Sequence, residues 1–187
     1  MINSFEKIWL IGFRFNPNYT EPDFYTLLLE EKEEQPISSN GQIILFHDPD
    51  YAQAALELDS EFSTLSSQIA PTEVYLNLDF ANMFYTISSE NYDESGDIIE
   101  CLNTLLDMLK CASISIPHHY KEKLFSLANH LTFDKDLSVL FVENENLRNS
   151  TIEAIQWAIG AVISKSTFFS KKTFGSSVLG VLNHQLK

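Results

Sequence analysis

The residues best placed to do chemistry sit in one short run, His47-Asp48-Pro49-Asp50. An imidazole beside two carboxylates is a set that can move protons or hold a divalent ion. The run follows the apolar stretch Ile43-Ile44-Leu45-Phe46 and precedes a helical pattern. It therefore stands at a strand-to-helix junction, and strand ends host active sites in open parallel sheets. Asp79, closing a second apolar alternation, is a fourth candidate. The same run also has a purely structural explanation. Asp48 is a natural N-cap, Pro49 suits the first helical position, and Asp50 puts negative charge on the positive end of the helix dipole.

Asp48-x-Asp50 after an apolar strand resembles the nucleophile loop of haloacid dehalogenase-like phosphatases. The resemblance covers that loop alone. It implies one carboxylate attacking phosphorus and another working as acid/base beside a magnesium ion. The chain departs from that pattern in having Pro49 between the aspartates, Ala52 where Thr or Val is usual, and no paired-aspartate motif further on. Other nucleophile and nucleotide motifs are missing. There is no G-x-S-x-G, and Gly175 to Gly180 has phosphate-loop spacing but Val181-Leu182 where the Lys-Ser/Thr pair belongs.

A second polar group is His118-His119, with Glu122 one turn on. Imidazole and carboxylate suit zinc. Neighbours on a helix diverge by about 100°, so two adjacent histidines seldom share one ion. His130 is roughly 16 Å further along the axis, too far to join them. The chain is read as needing no cofactor. Cys101 and Cys111 fall in one helical pattern about 15 Å apart, beyond disulfide reach, and read as small buried apolar groups in a reducing compartment.

Net charge is −14, unevenly spread. Residues 1–120 hold four basic and twenty acidic side chains, residues 121–187 eight basic and six acidic. An acidic body repels phosphate backbones, which argues against nucleic-acid binding and suits a basic protein partner. Candidate partner-binding residues are Glu30, Glu31, Glu33, Glu34, Asp93 and Glu94. The stretch Ile152–Ile163 is too short and too polar to span a bilayer, and Ile8-Trp9-Leu10-Ile11 is too short for a signal peptide. The chain reads as cytoplasmic. The Lys-and-aromatic stretch Lys165–Phe174 could lie on a membrane surface, but three lysines are a thin basis, and packing on the acidic body or on a second copy fits better.

These residues need elements to position them. Lys7–Phe15 reads as a strand ending at Asn16-Pro17-Asn18. Thr20-Glu21-Pro22-Asp23 reads as a helix start, which predicts a helix over Pro22–Glu34 burying Phe24, Leu27 and Leu28. Pro36–Gly41 is read as a loop. The helix after Asp48 repeats Tyr51, Ala55, Leu58 and Phe62, and Ser60–Pro71 reads as a loop. Thr72–Phe80 alternates as a half-buried strand, with Val74, Leu76, Leu78 and Phe80 on one side. Asp97–Ala112 and Pro117–Leu131 are helical by period. Ser150-Thr151-Ile152-Glu153 matches a capping box and predicts a helix over Thr151–Ser164, nearly apolar all round and thus core or interface. Leu137–Val142 fits a strand or a helix.

These expectations add up to one α+β domain: a β-α-β-α-β N-terminal half carrying a small sheet, covered by a helical C-terminal half, with a subdomain boundary at residues 91–96. The runner-up is a three-layer α/β fold with Leu137–Val142 as an extra strand. The function expected first is a non-enzymatic protein-interaction module with an acidic face, of the kind immunity-type inhibitors use against basic proteins. The alternative is a small metal-dependent hydrolase built on His47, Asp48 and Asp50. The apolar C-terminal helices also offer a surface for homo-oligomers.

Overall fold

The computed structural model describes residues 7–30, 34–53, 56, 71–90, 92 and 97–169. The fold is α+β, a mixed sheet with helices packed on it. Its strands are β1 (Lys7–Arg14), β2 (Phe24–Glu30), β3 (Glu34–Pro36), β4 (Ser38–Ser39), β5 (Gln42–Phe46), β6 (Val74–Asp79) and β7 (Ser166–Phe169). The main order is β4-β5-β2-β1-β6; β3 adds to β2, and β7 pairs with β5. The helices are α1 (Phe80–Ser88), α2 (Ile98–Cys111), α3 (His118–Phe133), α4 (Ser138–Phe141) and α5 (Glu145–Ser164).

Of the segment expected as a helix over Pro22–Glu34, Phe24–Glu30 is instead β2, paired antiparallel with β1 along its whole length, and Glu34 opens β3. The β1–β2 connection explains the difference. Asp23, taken for a first-turn acid, accepts from the backbone N–H groups of Phe15 at 2.7 Å and Asn16 at 2.9 Å, and its own N–H reaches Phe13 O at 2.8 Å. It closes a tight connection between strands rather than opening a helix. Tyr25 to Leu29 are all buried, as a central strand covered on both faces requires. Long-range pairing outweighs the helix preference of three consecutive leucines.

Pro36–Gly41, expected as a loop, contains the end of β3, β4 and a hairpin turn. Asn40 and Gly41 have φ of 52° and 73°. Two left-handed residues in succession make the turn whose twist suits a two-residue hairpin, and Asn-Gly is the pair that tolerates it best.

The sheet buries both faces. Ile11, Phe13, Leu28, Leu45 and Leu78 join α2, α3 and α5 in one apolar cluster. Leu10, Leu27, Leu29, Ile44 and Phe46 form a second, closed by Ala52 and Leu56 from beyond the β5 exit. β6 contributes to both. Its register with β1 jumps from Leu10↔Val74 to Ile11↔Leu76, leaving Tyr75 as an extra residue. Such a bulge reverses the facing of what precedes it. Val74 therefore packs with the second cluster, not beside Leu76 and Leu78 as strict alternation predicts. Phe80 likewise leaves the strand and opens α1.

Leu137–Val142 is helical, which removes the extra strand of the three-layer alternative. Leu137 and Phe141, one turn apart, are both buried. The last long helix starts six residues before the expected Thr151: Asn144 caps it by accepting from Leu147 N at 3.0 Å, and Ser150 lies inside, its hydroxyl donating to Leu147 O. The start of the Lys165–Phe174 stretch becomes β7, parallel to β5. Among the described residues no helix is long and apolar enough to cross a membrane. Outside the described residues lie positions 60–70 of the expected loop, the Ala55, Leu58 and Phe62 repeat before it, and the apolar tail beyond Phe169.

Candidate functional site

Strand direction decides which candidate residues meet. β5 and β1 each run antiparallel to β2, and β6 runs parallel to β1. The strands β1, β5 and β6 thus exit at the same end of the sheet, bringing Arg14, His47 and Asp79 to one edge. They do not converge there. β2 and β1 separate β5 from β6, so His47 and Asp79 stand three strand spacings apart, roughly 14 Å.

Each of the four candidate acid/base residues has a structural attachment. Asp48 is exposed and caps a 3-10 turn (Pro49–Tyr51), accepting from Asp50 N at 3.0 Å. Asp50 is exposed in that turn, with Pro49 at its first position, as the capping explanation requires. The His47 ring packs against Phe24 and Phe168, with centroids at 4.9 and 5.9 Å, in a three-ring cluster that ties β7 to the β5 exit. Asp79 does two jobs. One oxygen pairs with the Arg14 guanidinium, and the other caps α1 by accepting from Asn82 N at 2.9 Å.

Arg14 is the residue sequence reasoning missed. A signal was present: it is the one basic residue between Lys7 and Lys32, placed at a strand end. Arg14, Thr20, Pro22, Asn77, Asp79 and Asp97 line a groove of about 420 Å³ beside the β1 and β6 exits. Gly12 makes the groove wall possible. A Cβ there would lie 2.4 Å from Pro22 Cγ and 2.5 Å from Asn77 Oδ1.

The proposed metal residues do not gather. His118 and Glu122 form an exposed pair one turn apart, Nδ1 to Oε1 at 3.5 Å. His119 turns to Tyr120, with ring centroids 4.0 Å apart. Among the described residues no three His, Cys, Asp or Glu side chains are grouped to hold a metal ion. Both cysteines are free thiols on α2. Burial first, and then Asp79, Asp97 and Glu100, push the Cys101 thiol up to about 12. Burial, with Glu21 and Asp48 behind it, raises the Tyr25 phenol. The carboxylates behind these shifts, Glu21, Asp48, Asp79, Asp97 and Glu100, come from separate parts of the chain.

The helices extend that end. α2 enters beside Asp79 through Asp97. α3 packs against α2 after a six-residue connection and returns antiparallel, so Phe133 and Asp134 come back toward the start of α2. α5 begins nearby, its Arg148 paired with Glu90. Exposed Glu21 and Asp48 stand near Tyr25, with Asp50 in the turn after Asp48, and Asp97 and Glu100 stand near Cys101; Asp134, Asp136, Glu143 and Glu145 are exposed between the end of α3 and the first residue of α5. Of the described cations near these carboxylates, Arg14 and Arg148 are each engaged by a carboxylate, and Lys135 sits in the α3–α4 connection.

The opposite end is mixed. Lys7, Lys110, Lys121 and Lys165 are exposed there. Of the expected partner-binding residues, Glu30 accepts from Trp9 Nε1 at 3.3 Å, and Glu34 shares a groove of about 780 Å³ with Lys110 and Lys121. Both lie at this mixed end, away from Asp48 and Asp79. Glu31, Glu33, Asp93 and Glu94 lie outside the described residues. No protein-family model matches the chain, and neither does any curated protein or solved structure.

Proposed function

We propose that this chain is a non-enzymatic protein-interaction module that binds a basic protein through the acidic end of its fold, as an immunity-type inhibitor would. One observation supports the reading: carboxylates from the β1–β2 connection, the β5 exit and the α2 start collect at one end, while among the described residues most exposed lysines sit at the other. A charge imbalance fixed along one axis steers and orients an oppositely charged partner.

The test is affinity capture from lysate with the full chain, eluting with rising salt. Basic proteins are expected, released by salt and lost when Asp48 and Asp97 are both replaced by lysine. Capture indifferent to salt and to that double reversal would sink the proposal.

A further inference from the structure

At the corner where α3 ends and α4 begins, Phe133, Val139 and Val142 are 90%, 70% and 61% exposed. Single exposed apolar side chains are ordinary, but three on one corner mark a contact surface. The corner is also built to hold them still. Asp136 N donates to Asp134 Oδ1 at 2.9 Å, Ser138 N donates to Asp136 Oδ1 at 2.9 Å, and His130 Nε2 lies 2.8 Å from Asp136 O. Beneath, Leu137 and Phe141 are fully buried, and Phe141 packs on Tyr92, with centroids 6.2 Å apart. A side chain displayed on pinned backbone loses little freedom when it is covered.

We propose that this corner is the apolar anchor for a partner segment combining Lys or Arg with apolar side chains. The inference rests on the basic-partner reading and adds what that partner must carry. Charge complementarity selects the occupant: exposed Asp134, Asp136, Glu143 and Glu145 flank the three apolar groups along the chain, against Lys135. A second copy of the chain would bring like-charged rims together. Apolar contact at the centre with charges at the rim is how tight interfaces are arranged.

The probes are two synthetic peptides of equal positive charge, one alternating Lys with Phe and Leu, the other alternating Lys with Ser. Affinities are measured by calorimetry on the full chain and on Phe133→Ser and Val139→Ser. The Lys/Phe/Leu peptide is expected to bind about tenfold tighter, and either substitution is expected to erase that difference while leaving Lys/Ser binding unchanged. If neither peptide shows salt-sensitive binding, the basic-partner reading fails, and this inference with it. If both bind equally, or the difference survives the substitutions, the corner is not the anchor, while the acidic-end reading stands. Photo-cross-linking from p-benzoylphenylalanine at position 133 separates the other occupants. Cross-links to the peptide support the proposal; cross-links to a second copy or to residues 170–187 of the same chain overturn it.

Discussion

Arg14 and Asp79 are the last residues of β1 and β6, stand opposite each other in the parallel register, and form an ion pair. Both side chains are about a quarter exposed, at 23% and 27%. The pair joins the only two neighbouring strands of the main sheet path that run parallel among the described residues, just where α1 begins. Because Asp79 also caps α1, it should matter more than its partner. Arg14→Ala is expected to lower stability by about 1 kcal/mol, since the pair is partly solvated. Asp79→Ala should cost about 2 kcal/mol, the pair plus the cap. Urea unfolding of both variants and of the double variant checks this. Equal losses for the two single variants would remove the capping contribution.

Asp48 at the β5 exit is explained by its single bond to Asp50 N. Asp48→Ala is expected to cost about 0.5–1 kcal/mol, the low end for a cap, because only one 3-10 turn depends on it. Asp48→Asn should be nearly neutral, because an amide oxygen caps as well. The comparison uses chemical denaturation alongside a phosphatase assay. Phosphatase activity in the wild type that both substitutions abolish would restore the catalytic reading of Asp48 and Asp50.

Gly12 lies where β1 passes under Pro22 and Asn77. Gly12→Ala is expected to destabilise by about 1–3 kcal/mol, because both neighbours crowd the added methyl group. Thermal unfolding reads the loss. Gly160 is the control: a Cβ there meets nothing within 4 Å. Gly160→Ala lies within α5 and should stabilise by about 0.5–1 kcal/mol.

Cys101 makes stability depend on alkaline pH. In the unfolded chain the thiol ionises near 9.0, whereas in the fold it stays protonated to about 12. The folded value is the raised one. The contribution is therefore fully present below pH 9.0 and lost as pH climbs toward about 12. Tyr25 acts in the same direction, so the quantity to measure is the difference between wild type and Cys101→Ala. That difference should shrink as pH rises above 9.0. In thiol labelling of the folded protein, half-buried Cys111 should react before buried Cys101.

Local signals located several elements well. The periodicity of Ile98–Cys111 and His118–Phe133 needed no partner to be legible, because an amphipathic helix writes its buried face every three to four residues. The junction at Asp48 was legible for a similar reason: cap, proline and acid act within one turn. The misreadings share a cause. Thr20 to Asp23 carry helix-start chemistry, but Asp23 spends its carboxylate on Phe15 and Asn16, behind it in the chain. Ser150 matches a capping box, but Asn144 caps first. In each case a competing bond outweighed a valid local rule.

Within the sequence alone lay the charge excess, the helix faces, a strand over Lys7–Phe15, which the structure ends at Arg14, and the two thiols that cannot pair along one helix. All are set by composition or by contacts a few residues apart. Only the tertiary structure made Phe24–Glu30 a central strand and paired Arg14 with Asp79 across sixty-five residues. It also held Asp48 and Asp79 apart and gathered the α2 start, the α3 end and the sheet exits at one end. Strand order and direction impose those relationships, and the partners that set them lie too far apart in sequence for any local pattern to record.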